Sequence, residues 1–454
     1  MPYTLFPHQQ RAVEFMRNQP YIFDLSEAGT GKTLTQIAAL KERPGIDRTL
    51  VIAPKSILIP AWQNDFKKFA PEIKTVVATA KNRLEAFHSK ADVVITNTDA
   101  VSWLRKQHRH TWEQFNNIII DESDSFRHPN SRRSKAALAV TANAQYRSLL
   151  SATPSDNGVT DLWHQMMLLD RGNALGTSFY RFRHECCTPT QIGPSAAHLQ
   201  WRDKPGIEAI VSAMIAPHAI RNKLAECIDI PALQEFTVPY KLSHPQQKAY
   251  DQMRKHGMAM LDSGELLEAA QRSTVMTKLR HIASGAAYVG ATSALIEMER
   301  YELVVELATR VPHSIIFFEW THQKEGLETV LKSQNITYGV IDGSVANSKR
   351  TQLVSDYQNG ELRTMLIHPR SGAHGLTLTK GTRVVWAAPA YSHSLGYQGN
   401  GRIYRNGQTQ PTQVITVVAD NTVEGLVHQV QTGKRDAQES LLSFLSAHFK
   451  GSTL

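Results

Sequence analysis

Uninterrupted apolar runs of four or five residues recur at positions 21–25, 49–53, 92–96, 117–120 and 147–150. Runs that are apolar throughout, rather than alternating with polar positions, are expected of strands buried on both faces of a parallel sheet. Helical periodicity fills the gaps, as at 61–69 and 132–142, so this part reads as α/β. From about 161 to 291 the pattern turns mostly helical, with Pro and Gly breaks at Pro189, Gly193-Pro194, Pro205-Gly206, Pro231 and Pro245. The clearest helical patterning there lies at 246–260 and 265–282. Alternation of strand and helix then resumes, with runs at 314–318, 337–341, 364–367, 383–387 and 414–418. The expected architecture is two α/β lobes with helical insertions. Lobe 1 covers 1–230 with an insertion at about 161–230, and lobe 2 covers 231–454 with an insertion at about 240–291. Ile230-Pro231 is the expected linker, since proline ends the preceding segment.

The first run leads into Ser26-Glu27-Ala28-Gly29-Thr30-Gly31-Lys32-Thr33, and an amphipathic stretch leads out. Strand, tight glycine-containing loop and helix together present backbone N–H groups and a helix N-terminus to an anion. Lys32 would reach the outer phosphates of a nucleoside triphosphate, and the Thr33 hydroxyl would ligate magnesium. One departure is visible: the general phosphate-loop pattern has Gly six residues before the lysine, and this chain has Ser26.

A second element is Asn117-Ile118-Ile119-Ile120-Asp121-Glu122, an apolar strand ending in two acids. At the C-terminal edge of a strand, Asp121 can hold magnesium and Glu122 can orient an attacking water. A third, Leu149 to Pro154, follows a strand with Ser151 and Thr153. A fourth is Gln398 to Gln408, in which Arg402 and Arg405 stand three apart and would share one side of a helical turn. Guanidinium groups suit the charge that develops on a transferring phosphoryl group.

Charge and cysteine content narrow the setting. The net charge of +9 favours a polyanionic partner, nucleic acid first, and the basic residues are spread so that a basic surface must be assembled by folding. Cys186, Cys187 and Cys227 have no metal-ligand or redox spacing, which fits a reducing compartment. No run is long and apolar enough to cross a bilayer, and the first residues lack a basic-then-apolar leader. The expectation is a cytoplasmic protein of a prokaryotic or phage-infected cell, without membrane association and monomeric.

Together these elements resemble the Swi/Snf ATPases of helicase superfamily two, over nearly the whole chain. Leu5 to Gln10 looks like the family's opening segment, with Gln9 at the adenine-reading position. Glu27, Ala28, Gly29, Thr30, Gly31, Lys32 and Thr33 look like its motif I, and that family also lacks the early Gly. Val51 to Ser56, followed by Trp62 and Phe66, is similar to motif Ia; Ile95 to Thr98 falls at Ib; Asp121 to Asp124 at II; Ser151 to Pro154 at III. Ile220 to Lys223 through Pro231 looks like the segment between lobes. Ile315 to Phe318 falls at motif IV, Arg370 to Leu378 at V, and Gln398 to Gln408 at VI. Departures are Asp124 where His is common, Thr377 for Asn, and Gly401 and Tyr404 for an acid and a His.

The resemblance implies two RecA-like lobes with ATP in the cleft between them. Lys32, Thr33, Asp121, Glu122 and Gly375 would come from the nucleotide-binding motifs, and Arg402 and Arg405 would act as arginine fingers. Ser151, Thr153 and Gln398 would couple hydrolysis to motion. Lys55, Ser56, Thr96, Asn97, Arg370 and Ser371 would contact nucleic acid. The implied activity is a DNA-stimulated ATPase that translocates on double-stranded DNA, using ATP and Mg2+, with DNA-bound protein as a target. Alternatives are a helicase that separates or anneals strands on forked DNA or RNA, and a non-catalytic nucleic-acid-binding scaffold.

Overall fold

A computed structural model describes residues 4–191, 199–262, 269–289, 292–295, 297–372 and 376–433. They divide into two compact units, 4–229 and Ile230–Gly433.

The first unit is built on seven parallel strands: β1 (Tyr21–Asp24), β2 (Thr49–Ala53), β3 (Thr75–Ala78), β4 (Val93–Asn97), β5 (Asn117–Asp121), β6 (Tyr146–Leu150) and β7 (Ala219–Ile220). Their order across the sheet is β3-β4-β2-β5-β6-β1-β7. The apolar runs are uninterrupted because both faces are covered. Leu50, Ile52, Ile118 and Ile120 enter one core, while Val51, Ala53 and Ile119 enter the other. Asp24 and Asp121 both pair with Leu150, so the ends of β1 and β5 flank β6 on one sheet edge. Two inter-strand spacings put their Cα atoms roughly 10 Å apart.

The second unit has six parallel strands: β8 (Leu233–Tyr240), β9 (Ser314–Phe317), β10 (Tyr338–Ile341), β11 (Thr364–Ile367), β12 (Arg383–Trp386) and β13 (Thr412–Ala419). Their order is β8-β13-β12-β9-β11-β10. Again the faces separate, with Ile316, Leu366 and Val385 in one core and Ile315, Met365 and Val384 in the other. Arg300, fully buried on the helix Glu299–Thr309, pairs with both carboxylate oxygens of Glu424 at 2.8 and 3.0 Å. Its five donors are all used, the rest by the carbonyls of Ala283, Ala387 and Val417. Satisfying every donor is what lets a charge of this size stay dry.

The ten apolar runs are strands, and the described residues hold seven further strand segments. β3 and β7 are short sheet members, and β8 is an eight-residue edge strand whose side chains are mostly exposed. The stretch read as mostly helical also carries two antiparallel hairpins, Cys187–Gln191 with Leu199–Asp203 and Ala286–Val289 with Thr292–Leu295. Within it the helices His244–Asp262 and Ala269–Ala283 lie where helical periodicity was strongest. Gly375 lies outside the described residues.

Candidate nucleotide site

The phosphate loop runs from the end of β1 to the helix Lys32–Glu42. Gly29 and Gly31 have φ of +89° and +85°, the left-handed region that glycine enters without strain. Gly31 is the N-cap of the helix, and a Cβ there would collide with the Gln9 side-chain nitrogen. Gln9 is buried; its Nε2 donates to the Thr30 carbonyl at 3.1 Å, and its Oε1 accepts the Phe6 amide at 3.0 Å. The His8 ring nitrogen Nε2 lies 2.9 Å from the same Thr30 carbonyl. The opening helix Pro7–Arg17 therefore braces the loop from behind. Lys32 Nζ donates to the carbonyls of Ser26 at 2.7 Å and Glu27 at 3.1 Å, so its ammonium is held over the loop. Thr33 follows directly as the second residue of the helix, half-buried.

The missing glycine has a structural explanation. Ser26 is buried, and its hydroxyl accepts hydrogen bonds from the Asn222 backbone amide at 3.2 Å and side-chain amide at 3.0 Å. A glycine at 26 would leave both donors without that acceptor. β7 continues past Ile220 alongside the loop: the Leu25 amide donates to the Ile220 carbonyl at 2.8 Å and the Glu27 amide to the Asn222 carbonyl at 3.0 Å. The Glu27 carboxylate accepts the Leu224 amide at 2.9 Å and lies 3.4 Å from Arg221. Among the predicted nucleotide-binding residues, the Glu27 side chain is thus engaged with this segment.

The acid pair closes the same sheet edge. Asp121 ends β5; its Oδ2 accepts the indole N–H of Trp62 at 2.9 Å and its Oδ1 the Glu122 amide at 3.0 Å. Burial, and then the neighbouring Glu122 charge, push the Asp121 carboxyl up to about 6, against the lowering effects of Trp62 and Lys32. Burial likewise raises Asp24, with Lys32 the main counterweight. Glu122 turns off the strand with φ of +52°, a left-handed conformation costly for a residue with a side chain. Three acids and one lysine therefore converge on the carboxyl ends of β1 and β5.

Beyond them, Ser123 donates to Gln165 Oε1 at 2.8 Å, and Gln165 Nε2 donates to the Pro154 carbonyl at 2.7 Å. Gln165 is fully buried on the helix Thr160–Asp170 and joins the acid loop to the segment after β6. Asp124, where a His was expected, is pushed well up by burial and by Glu122. It lies 3.9 Å from Arg127, which also lies 3.4 Å from Asp156 and 3.9 Å from Asp161. Ser151 and Thr153 are both buried, and the Thr153 amide donates to the Ser151 hydroxyl at 3.2 Å.

In the second unit, the helix His393–Asn400 stops before the arginines, and residues 401–407 form successive turns. The expected shared helical turn is replaced by turns whose amides bond three or four residues back, as from Arg402 to Gly399 and from Tyr404 to Asn400. Glycines at 399 and 401 favour this early stop. The arginines still converge: Arg402 donates to the carbonyls of Gln398 at 2.7 Å and Leu376 at 3.1 Å, and Arg405 to Leu376 at 2.8 Å and the Thr377 hydroxyl at 3.0 Å. Arg402 and Gln398 are buried, and Arg405 is half-buried.

The expected nucleic-acid contacts divide. Lys55 and Arg370 are exposed, and Ser56, Asn97 and Ser371 are half-buried. Thr96 is fully buried on β4, with its hydroxyl donating to the Ala78 carbonyl at 3.2 Å. Both faces of this sheet are covered, so the Thr96 side chain offers no exposed surface to a nucleic acid in this structure.

The loop, strand-end acids and parallel sheet define an α/β nucleotide-binding protein of the P-loop class. The model of the SNF2-related domain matches residues 8–285, more than half of the chain, and that of the helicase conserved C-terminal domain matches residues 299–407. The chain belongs to the SNF2-related family and is an ATP-hydrolysing enzyme of helicase superfamily two. It is 27% identical over 444 residues to putative protein p41 of Acyrthosiphon pisum secondary endosymbiont phage 1, covering 91% of this chain and 92% of that one. It is 24% identical over 468 residues to an ATP-dependent helicase of Mycoplasma genitalium, covering 97% of this chain and 42% of that protein. It thus spans under half the length of the Mycoplasma relative. Among solved structures, it is similar to the Sulfolobus solfataricus SWI2/SNF2 ATPase core in complex with dsDNA, at 22% identity and a TM-score of 0.45, with 98% of this chain and 94% of the other covered.

Proposed function

We propose that the protein is a nucleic-acid-stimulated ATPase that translocates on double-stranded DNA and displaces or remodels bound protein. The observation that carries this reading is the division of the hydrolytic groups between two separate parallel-sheet units. Lys32, Asp121 and Glu122 stand on one, and Arg402 and Arg405 on the other. Hydrolysis that draws on groups of both units would make each turnover depend on both, which is how ATP use could drive movement along a duplex. Lys32 would hold the outer phosphates, Glu122 would orient the attacking water, and the arginines would offset the charge developing on the transferred group.

The residues fit a magnesium ion. Asp121 is a buried carboxyl raised to about 6 beside a second acid, an arrangement that a divalent cation would relieve, and Thr33 brings a hydroxyl to the first turn of the helix that follows the loop. Asp121 and Thr33 would hold the ion, which would supply charge neutralisation for the phosphates.

A relative named as a SWI/SNF chromatin-remodeling complex subunit supports a duplex substrate, and Lys55 on the first unit and Arg370 on the second are each exposed to a phosphate backbone. Such contacts would bind phosphates, giving salt-dependent and sequence-tolerant affinity. ATPase rates measured in parallel without nucleic acid and with duplex, single-stranded, forked DNA and RNA test the substrate. The reading predicts the largest stimulation by duplex, and displacement of a triplex strand without unwinding of a tailed duplex. Unwinding with no triplex displacement would instead make the protein a strand-separating helicase.

A further inference from the structure

We infer that Arg221 is a positioning residue for ATP, holding the phosphate loop in register and cancelling the one negative charge built into it. Glu27 places a carboxylate inside a loop whose ligand is a polyanion, where an unpaired acid would repel the ligand. The structure turns that carboxylate away. Glu27 Oε2 accepts the Leu224 amide at 2.9 Å, and Oε1 lies 3.4 Å from Arg221 Nη2. The Arg221 side chain is 1% exposed and that of Glu27 18%, so water screens their interaction only weakly.

Arg221 has a second hold on the loop. Its Nη1 donates to the Leu25 carbonyl at 2.8 Å, one residue before Ser26. The Glu27 main chain then sets the next step: its carbonyl accepts Lys32 Nζ at 3.1 Å and the Thr30 hydroxyl at 2.8 Å. Displacing Glu27 would therefore displace both the ammonium that meets the phosphates and the residue braced by Gln9. Arg221 acts through Glu27 and Leu25.

The test is equilibrium binding of a fluorescent ATP analogue without nucleic acid, with steady-state ATPase kinetics and a thermal melt on each variant. Its outcome is independent of the duplex reading, because no nucleic acid is present. Arg221→Ala should weaken ATP binding about tenfold and raise KM in step, with kcat at saturating ATP within about threefold of wild type. Adding Glu27→Gln should recover part of that loss, about threefold of the tenfold, since it removes the uncompensated charge but not the lost hold on the Leu25 carbonyl. Unchanged affinity in a folded Arg221→Ala protein overturns the inference. So does lost affinity without recovery in the double variant, which would leave Arg221 a packing residue only. If Arg221→Ala does not fold, Arg221→Lys keeps a cation with shorter reach and should show a smaller rise in KM, again relieved by Glu27→Gln. Absence of either effect refutes the proposal.

Discussion

Trp62 Nε1 donates a 2.9 Å hydrogen bond to Asp121 Oδ2, tying the helical segment after β2 to the acid at the end of β5. Trp62 is fully buried, so its indole has no other solvent to turn to. Trp62→Phe keeps most of the packing but strands a buried carboxylate oxygen, a loss of about 1–3 kcal/mol. The expected result is a lower Tm together with a fall in kcat of about tenfold, seen by melting and steady-state ATPase assay. An unchanged kcat would mean that Asp121 does not depend on this bond for its orientation.

Gln165 links the acid loop to the segment after β6 through Ser123 and Pro154. Gln165→Ala should leave ATP affinity near wild type and reduce the stimulation of ATPase by nucleic acid, because the link lies behind the loop. The ratio of stimulated to basal rate is the quantity to measure; a fall in both rates together would point to plain destabilisation.

Arg402 and Arg405 share the Leu376 carbonyl but differ in burial. Arg402→Ala should lower the Tm of the second unit as well as hydrolysis, since a buried side chain with two main-chain partners is lost. Arg405→Ala should keep Tm and ATP binding and lose hydrolysis by a factor on the order of 10³, as expected of an arginine acting on the transition state. Normal hydrolysis by Arg405→Ala would remove it from the catalytic set.

His164 is 2% exposed, and burial holds it down to about 4, with Nδ1 2.6 Å from the Phe126 carbonyl. The unfolded chain takes up a proton near pH 6.5 that the folded chain refuses until about pH 4. Its contribution is complete above pH 6.5 and is lost as pH falls towards 4, amounting to about 3 kcal/mol. Thermal melts of wild type and His164→Asn at pH 7 and pH 5 should show a smaller acid-induced drop in the variant.

Lys55 is exposed beside the end of β2, whereas Thr96 is buried on β4. Lys55→Ala should weaken duplex binding and reduce the slope of log affinity against log salt by about one. Thr96→Val should alter Tm and leave that slope alone. A salt slope that falls with Thr96→Val would restore Thr96 to the nucleic-acid surface.

The strands were readable because parallel strands covered on both faces leave unbroken apolar runs, as at Leu50 to Ala53. β8 escaped because it carries Gln234, Glu235, Thr237 and Pro239 and exposes most of its length, so burial wrote no pattern into it. β3 is half-buried at the sheet edge, and β7 is two residues long. The loop and the acid pair were legible from local spacing. Their supports were not: Trp62, Gln165, Arg221 and Asn222 act through hydrogen bonds formed 42 to 196 residues away in the chain. No local periodicity encodes such meetings. The stop of the helix at Asn400 also depended on local backbone choices rather than on the spacing of the two arginines.

β7 lies beside β1, and the bonds from Asn222 and Arg221 to the phosphate loop join residues 196 positions apart. During synthesis the loop would leave the ribosome 196 residues ahead of its partners Arg221 and Asn222. Long-range closure of this kind is slow, because the intervening chain must be ordered before the bonds form. A nascent chain arrested before residue 224 would carry the whole phosphate-loop sequence yet lack its mechanical support. Nucleotide binding by ribosome-bound chains of graded length should therefore report completion of the unit rather than emergence of the motif.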